Sequence, residues 1–266
     1  MASSDHLDTG TVSERRAEIR SGVVWAGLRG LWVGSDPLPR PARIVDIGGG
    51  TGGFAVRLAE EGHRVVVVEP SPDALAALGR RADERGVADR VTAIQGDLAD
   101  LAGLSGSEQW FAPDEGPGKG AVGADLVLCH GVLEVVADPG QALATIHQVL
   151  RPGGVLSLLV AQRHAAVVAR AMAGHFQQAL ALLDQSEPSG RAGHRFTLDE
   201  LAGLFSAGGW EVGEVHAVRV FADLVPGSLL DSEPGAAQAL AELEQAVCGR
   251  PEYLPLATQL HLLARA

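Results

Sequence analysis

Several features that mark whole classes of protein are scarce in this sequence. Only two cysteines, Cys129 and Cys248, occur in 266 residues, which excludes a disulfide framework and implies reduced thiols. No 18-residue stretch is free of charged side chains, so no span qualifies as a membrane-crossing helix. The start, Met1-Ala2-Ser3-Ser4-Asp5-His6, lacks the basic opening and apolar segment of a secretory signal, and the expected location is the cytoplasm. Basic residues are outnumbered, 21 against 33 acidic, for a formal charge of −12. That charge favours solubility and repels a phosphate backbone at long range, so a nucleic-acid partner would need a local basic patch. No internal repeat or heptad pattern runs through the chain, and no metal is expected.

Glycine, by contrast, is abundant, with 34 residues, and it matters most in the run Ile44-Val45-Asp46-Ile47-Gly48-Gly49-Gly50-Thr51-Gly52. An apolar strand there empties into a glycine turn where a helix is expected to begin, near Gly53-Phe54. Glycines accept positive φ and carry no Cβ, so bare backbone can approach a ligand, with N–H groups turned towards a carboxylate or phosphate. A second strand, Val65-Val66-Val67-Val68, ends at Glu69, 23 positions after Asp46. An acidic residue at that point of a doubly wound sheet accepts hydrogen bonds from the ribose hydroxyls of a bound nucleoside. The spacing Gly48, Gly50, Gly53 also satisfies the dinucleotide pattern and does not exclude NAD.

The length suits one large α/β domain over residues 1–266, with a helical segment at 13–33 and a helical cap insertion at about 161–195. Strands are expected near 43–47, 64–69, 91–95, 124–129 and 154–160, and helices near 53–61, 72–85 and 139–150. Ser71-Pro72 and Asp138-Pro139 are helix-start signals. This alternation predicts right-handed crossovers and a doubly wound, seven-stranded, mostly parallel sheet. Residues 105–123, with Trp110 and Phe111, read as a Gly/Pro-rich surface loop. After β-strand five come an alanine-rich helical stretch at 163–184, a polar turn at 185–190, and the capping box Thr197-Leu198-Asp199-Glu200. A strand near 211–220, a helix at 233–248 and a last strand from Thr258 to Ala264 complete the chain.

The spelling Asp46 to Gly52, the strand Asp125-Leu126-Val127-Leu128-Cys129-His130, the pair Leu133-Glu134 and the segment Leu150-Arg151-Pro152-Gly153-Gly154-Val155-Leu156 resemble the class I S-adenosylmethionine-dependent methyltransferases. A closer resemblance links Val132-Leu133-Glu134, Val136-Ala137-Asp138-Pro139, Ala173-Gly174-His175-Phe176, Val218-Arg219-Val220-Phe221 and Leu243-Glu244 through Cys248 to the tRNA 5-carboxymethoxyuridine methyltransferases. That resemblance covers nearly the whole chain. It implies S-adenosylmethionine as cofactor, with contacts at Arg20, Gly48, Gly49, Glu69, Leu98 and His130, and Asp97 accepting from the adenine amino group. Asp46 and Gly50 complete the expected cofactor set. The implied partner is the wobble uridine of a tRNA. The chain departs from the family at Ala161-Gln162, at Val135, and at Gln185 to Arg191, where a lysine-rich turn is expected.

Methyl transfer is an in-line displacement that needs alignment and exclusion of water more than acid–base help. A carboxylate acceptor is already anionic and needs only to be positioned, for which Arg163 and Arg219 are the candidates. His164 is the candidate base should the acceptor be a hydroxyl or amine. A small-molecule O- or N-methyltransferase and a non-catalytic binding module are the alternative functions.

Overall fold

A computed structural model describes residues 12–33, 36–104, 123–183, 193–232 and 234–266. The expectations placed on the first six residues, on residues 105–122 of the Gly/Pro-rich loop and on the turn at 185–191 lie outside the described residues.

Helix α1 (Val12–Gly30) is followed by a βα series: β1 (Arg43–Ile47), α2 (Ala55–Glu60), β2 (Arg64–Glu69), α3 (Pro72–Glu84), β3 (Val91–Gln95), the single turn α4 (Leu101–Leu104), β4 (Ala124–His130), α5 (Pro139–Val149) and β5 (Leu150–Ala161). Then come α6 (Arg163–Met172), α7 (Phe176–Leu183), α8 (Leu198–Ala207), β6 (Glu211–Val218), α9 (Gly227–Ser232), α10 (Ala236–Val247) and β7 (Gln259–Arg265). The start signals act as expected. Ser71 Oγ accepts from the Ala74 N–H, Asp138 Oδ1 accepts from the Gln141 N–H, and Pro72 and Pro139 occupy first-turn positions that need no donor.

The seven strands lie in the order β3-β2-β1-β4-β5-β7-β6. Ile44 of β1 sits in parallel register with Val65 of β2 on one side and Leu126 of β4 on the other. Strands covered on both faces need no polar alternation, which is why Val65 to Val68 are all buried in an unbroken apolar run. The last strand runs the other way. Gly153, near the start of β5, donates to the Ala266 carbonyl just past β7, whereas Gln162, past the end of β5, donates to Thr258 just before it. The sheet is therefore mixed but mostly parallel, as expected.

Three differences from the sequence reading have identifiable causes. β5 starts at Leu150 instead of residue 154, because the Gly153 N–H is already bonded to β7 and Arg151 is drawn to Asp125. The alanine-rich stretch is two helices, broken where Gly174 takes φ +76° and its N–H turns back to the Ala171 carbonyl. Helix α2 has six residues and no side-chain cap, too short to act as an anion site through its own dipole.

The chain forms two compact units. One comprises Met1–Gly34, Leu159–Leu201 and Glu214–Leu262, the other Ser35–Leu158, Ala202–Gly213 and Leu263–Ala266. The helical segment at 13–33 and the cap, expected as embellishments of one domain, both belong to the first unit. Its core contains Ile19, Ala222, Leu230 and Leu240, against which Phe221 and Val225 pack. The second unit is built on fully buried Ile44, Ile47, Leu58, Leu126, Leu128 and Leu143. Each such side chain contributes about 1.5–3 kcal/mol. At the base of its sheet the buried Asp125 carboxylate accepts from the Arg43 N–H at 2.7 Å and from the Arg151 guanidinium, joining three strands.

Candidate functional site

The strand order reverses between β1 and β4, and in open α/β sheets the ligand crevice lies beyond the carboxyl ends of the strands at such a reversal. The glycine turn occupies the end of β1. Gly48, Gly50 and Gly52 take φ of +65°, +55° and +79°, and the Gly48 N–H is bonded to the Val68 carbonyl at the end of β2. A side chain is excluded at Gly48 by Val132, whose Cγ2 would lie 2.6 Å from the new Cβ, and at Gly49 by Asp46, whose Oδ2 would also lie at 2.6 Å. Gly50 has open space around its Cα, which leaves exposed backbone for a ligand to approach.

Glu69, half-buried at the end of β2, accepts from the Gly50 N–H through Oε2 at 3.1 Å and from the Ser71 N–H through Oε1 at 3.0 Å. The carboxylate is thus held in one rotamer, while further lone pairs on each oxygen stay available. Gly96 donates to the Glu69 carbonyl, bringing the end of β3 alongside. There Asp97 caps a short turn by accepting from the Ala99 N–H at 2.8 Å, and Leu98 is buried in that turn. His130 closes the group from β4, its Nε2 2.9 Å from Ser157 Oγ and its ring edge-on to Phe54 at 5.1 Å. The structure therefore brings Asp46, Gly48, Gly49, Gly50, Glu69, Asp97, Leu98 and His130 together at one end of the second unit's sheet.

Asp46 is the electrostatic outlier of this group. Removal from water, followed by the charge of Glu69, pushes its carboxyl up to about 7. A cationic ligand at the turn would reverse that shift by favouring the ionised form. Burial also raises the Cys129 thiol on the neighbouring strand, which makes it a packing residue without a thiolate's reactivity.

The other candidates belong to the first unit. Arg163 was expected to position an acceptor, but it is buried and committed elsewhere: its Nη2 lies 2.6 Å from Glu200 Oε1, and its Nε donates to the Arg195 carbonyl. Glu200 in turn closes the capping box with Thr197. Burial alone would raise the Glu200 carboxyl, yet the Thr197 N–H and the Arg163 guanidinium outweigh it and hold the group below its usual range. Arg163 thus ties the start of α6 to the start of α8. His164, the candidate base, points into solvent.

Arg219 and Arg20 are neighbours. Burial and the Arg219 charge together lower the Arg20 guanidinium from its ordinary value, and the Arg20 Nε is buried without a hydrogen-bond partner among the described residues. Arg219 is the one non-glycine residue with positive φ, +59°, among the described residues. Its guanidinium pairs with Asp223. It lines a cavity of about 360 Å³ with Arg170 and Arg195. Sequence reasoning missed Glu244, whose fully buried carboxylate accepts from the Val220, Phe221 and Ala222 N–H groups at 2.9, 2.8 and 2.7 Å. The signal was present: Glu244 lies on the apolar stripe Ala237, Leu240, Val247 of α10, where a charge has no reason to sit unless it is paired.

Comparison with known proteins agrees with this geometry. A model described as a methyltransferase domain matches residues 24–215. The chain belongs to the S-adenosylmethionine-dependent methyltransferases. Within that class it is 30% identical, over 94% of its own length and 89% of the relative's, to the tRNA 5-carboxymethoxyuridine methyltransferase of Escherichia coli strain K12. Among solved structures, an S-adenosylmethionine-dependent methyltransferase from Mesorhizobium loti superposes with a TM-score of 0.56, at 20% identity, covering 93% of this chain and all of that one. The 1,6-didemethyltoxoflavin-N1-methyltransferase of Burkholderia thailandensis, with S-adenosylhomocysteine bound, gives 0.51 at 20% identity, over 94% and 77% of the two chains. These likenesses establish the fold.

The cofactor is S-adenosylmethionine. The residues present suit it, since the open backbone at Gly50, the fixed carboxylate of Glu69 and the acidic environment of Asp46 match a cationic nucleoside in kind. Among the described residues no group of three or more potential metal ligands is found, and no helix is long and apolar enough to cross a membrane.

Proposed function

We propose that this protein methylates the carboxylate of 5-carboxymethoxyuridine in tRNA, giving the methyl ester. The observation that carries this reading is the extent of the match to the Escherichia coli enzyme, which spans 94% of the chain and so includes the first unit as well as the cofactor half. In this reading Glu69 accepts from the ribose hydroxyls, the glycine turn faces the methionine portion with Asp46 beneath it, Asp97 and Leu98 flank the adenine, and His130 borders the methionine end. When bound, S-adenosylmethionine supplies a sulfonium methyl whose transfer to a carboxylate oxygen forms an O–C bond, breaks the S–C bond and leaves a neutral ester and S-adenosylhomocysteine. No proton has to be removed from an ionised carboxylate. That accords with the solvent-facing position of His164, the candidate base.

A second reading, methylation of a small molecule, is favoured by the formal charge of −12, which opposes a polyanionic substrate. Mass spectrometry of tRNA nucleosides from a strain lacking the protein separates the two. Loss of the methyl ester with accumulation of the free acid is expected. An unchanged ester content points to the small molecule.

A further inference from the structure

The cavity of the first unit contrasts with the rest of the chain. Among the described residues three arginines, Arg170, Arg195 and Arg219, line it with one acidic residue, Asp223, in a protein with a formal charge of −12. The lining also includes apolar residues of α6, Ala165, Ala166, Val168 and Ala169. At about 360 Å³ it lies in the range of small-ligand pockets, enough for one nucleoside-sized group. Gln259 in its wall has a buried side-chain oxygen with no hydrogen-bond partner among the described residues, an acceptor that a ligand N–H could satisfy.

Arg219 is built into this wall under constraint. Its φ of +59° is a conformation that a side-chain-bearing residue keeps only when its surroundings impose it, and such strain gathers at functional sites. The surroundings are identifiable. Glu244 gathers the three N–H groups that follow Arg219, the Arg219 carbonyl accepts from the Thr258 N–H, and Asp223 holds the guanidinium by its Nε and one terminal nitrogen. The charge of Arg219 is felt at Arg20, so two guanidinium groups act on the same region.

We propose that this cavity is the acceptor's acid pocket: it takes a planar heterocycle bearing a carboxylate, with Arg219 as the carboxylate anchor and Glu244 as the residue that positions Arg219. The inference rests on the methyl-ester reading above for the identity of the acid, but its test does not depend on turnover. Full-length protein is titrated by NMR with 5-carboxymethoxyuridine, with uridine, and with uridine 5′-monophosphate. The acid nucleoside should bind at least about tenfold more tightly than uridine, as a charge-assisted pair to arginine implies. Arg219→Gly, which suits positive φ and so preserves the turn, should abolish that preference while leaving S-adenosylmethionine affinity within about twofold. Glu244→Gln should weaken acid binding in the wild-type background and add nothing in the Arg219→Gly background. Glu244→Asp serves as a second variant should the glutamine protein unfold.

Equal binding of uridine and the acid nucleoside, an acid preference that survives Arg219→Gly, or a monophosphate that binds as well as the carboxylate overturns the proposal. Additive losses from Glu244→Gln and Arg219→Gly overturn the positioning role. Failure of the wild-type protein to methylate 5-carboxymethoxyuridine tRNA, alongside Arg219-dependent acid binding, removes the tRNA reading and leaves the pocket standing. Methylation of that tRNA by Arg219→Gly at unchanged KM does the reverse.

Discussion

Gly50 donates its backbone N–H to Glu69 Oε2 at 3.1 Å, so the glycine turn after β1 and the acidic residue that ends β2 are one unit of structure. The bond gives Glu69 two jobs. It shapes the glycine turn and is itself the proposed ribose acceptor, and the second oxygen, tied to Ser71, keeps the carboxylate in place. Such preorganisation lowers the entropy lost on binding.

Glu69→Ala therefore removes a support of the turn as well as the proposed ribose contacts. Its dissociation constant for S-adenosylmethionine is expected to rise about tenfold or more, given about 1.5–3 kcal/mol for hydrogen bonds to a charged group. Isothermal titration checks this, and an unchanged constant would show that Glu69 only braces the turn.

Side chains introduced at neighbouring glycines should have unequal costs. A Cβ at Gly49 would meet Asp46 Oδ2 at 2.6 Å and Val67 Cγ1 at 2.9 Å, both on packed strands. Gly49→Ala is expected to lose about 1–3 kcal/mol by overpacking. At Gly50 the space is open and only the φ of +55° opposes a side chain. Gly50→Asn, which tolerates that conformation, should cost well under 1 kcal/mol. Urea denaturation of the two variants tests the order, and equal losses contradict it.

The raised carboxyl of Asp46, about 7 against an ordinary 3.8, has a definite pH signature. The folded protein holds the proton more tightly than the unfolded chain, so the stability from Asp46 is fully present below pH 4 and is lost as pH rises through 7. Relative to Asp46→Asn, the wild type should thus lose stability across that window. Binding of the cationic cofactor favours the ionised form, so wild-type affinity should increase from pH 6 to 8 while that of Asp46→Asn stays flat. Thermal melts and titrations at matched ionic strength provide both readings.

Arg163→Ala tests the structural reading of a residue expected to touch the acceptor. Its guanidinium is 2.6 Å from Glu200, whose side chain is one-third exposed, so the loss should be about 2 kcal/mol, below the figure for a fully buried pair. The folded fraction should keep its KM for the acceptor. A raised KM with an unchanged melting temperature would return Arg163 to the acceptor site.

Much of the second unit was legible because its signals are local. Val65 to Val68 ending at Glu69 specify a doubly covered strand, Ser71-Pro72 and Asp138-Pro139 announce helices, and the glycines mark where positive φ is needed. The partner of Arg163 was not legible because an arginine after a strand reads the same whether it faces a ligand or a carboxylate 37 residues onward. Glu244 was passed over because its three partners lie more than 20 residues away, at Val220 to Ala222.

Taken alone, the amino-acid order determined the strand–helix alternation, the glycine turn after β1 and the class of chemistry, since each depends on residues adjacent in the chain or at a helical or strand period. Tertiary structure decided which charged side chains are available for chemistry. A buried charge is costly without a partner, and the partners of Arg163 and Glu244, 37 and 22–24 residues away, are supplied by folding, not by sequence neighbourhood.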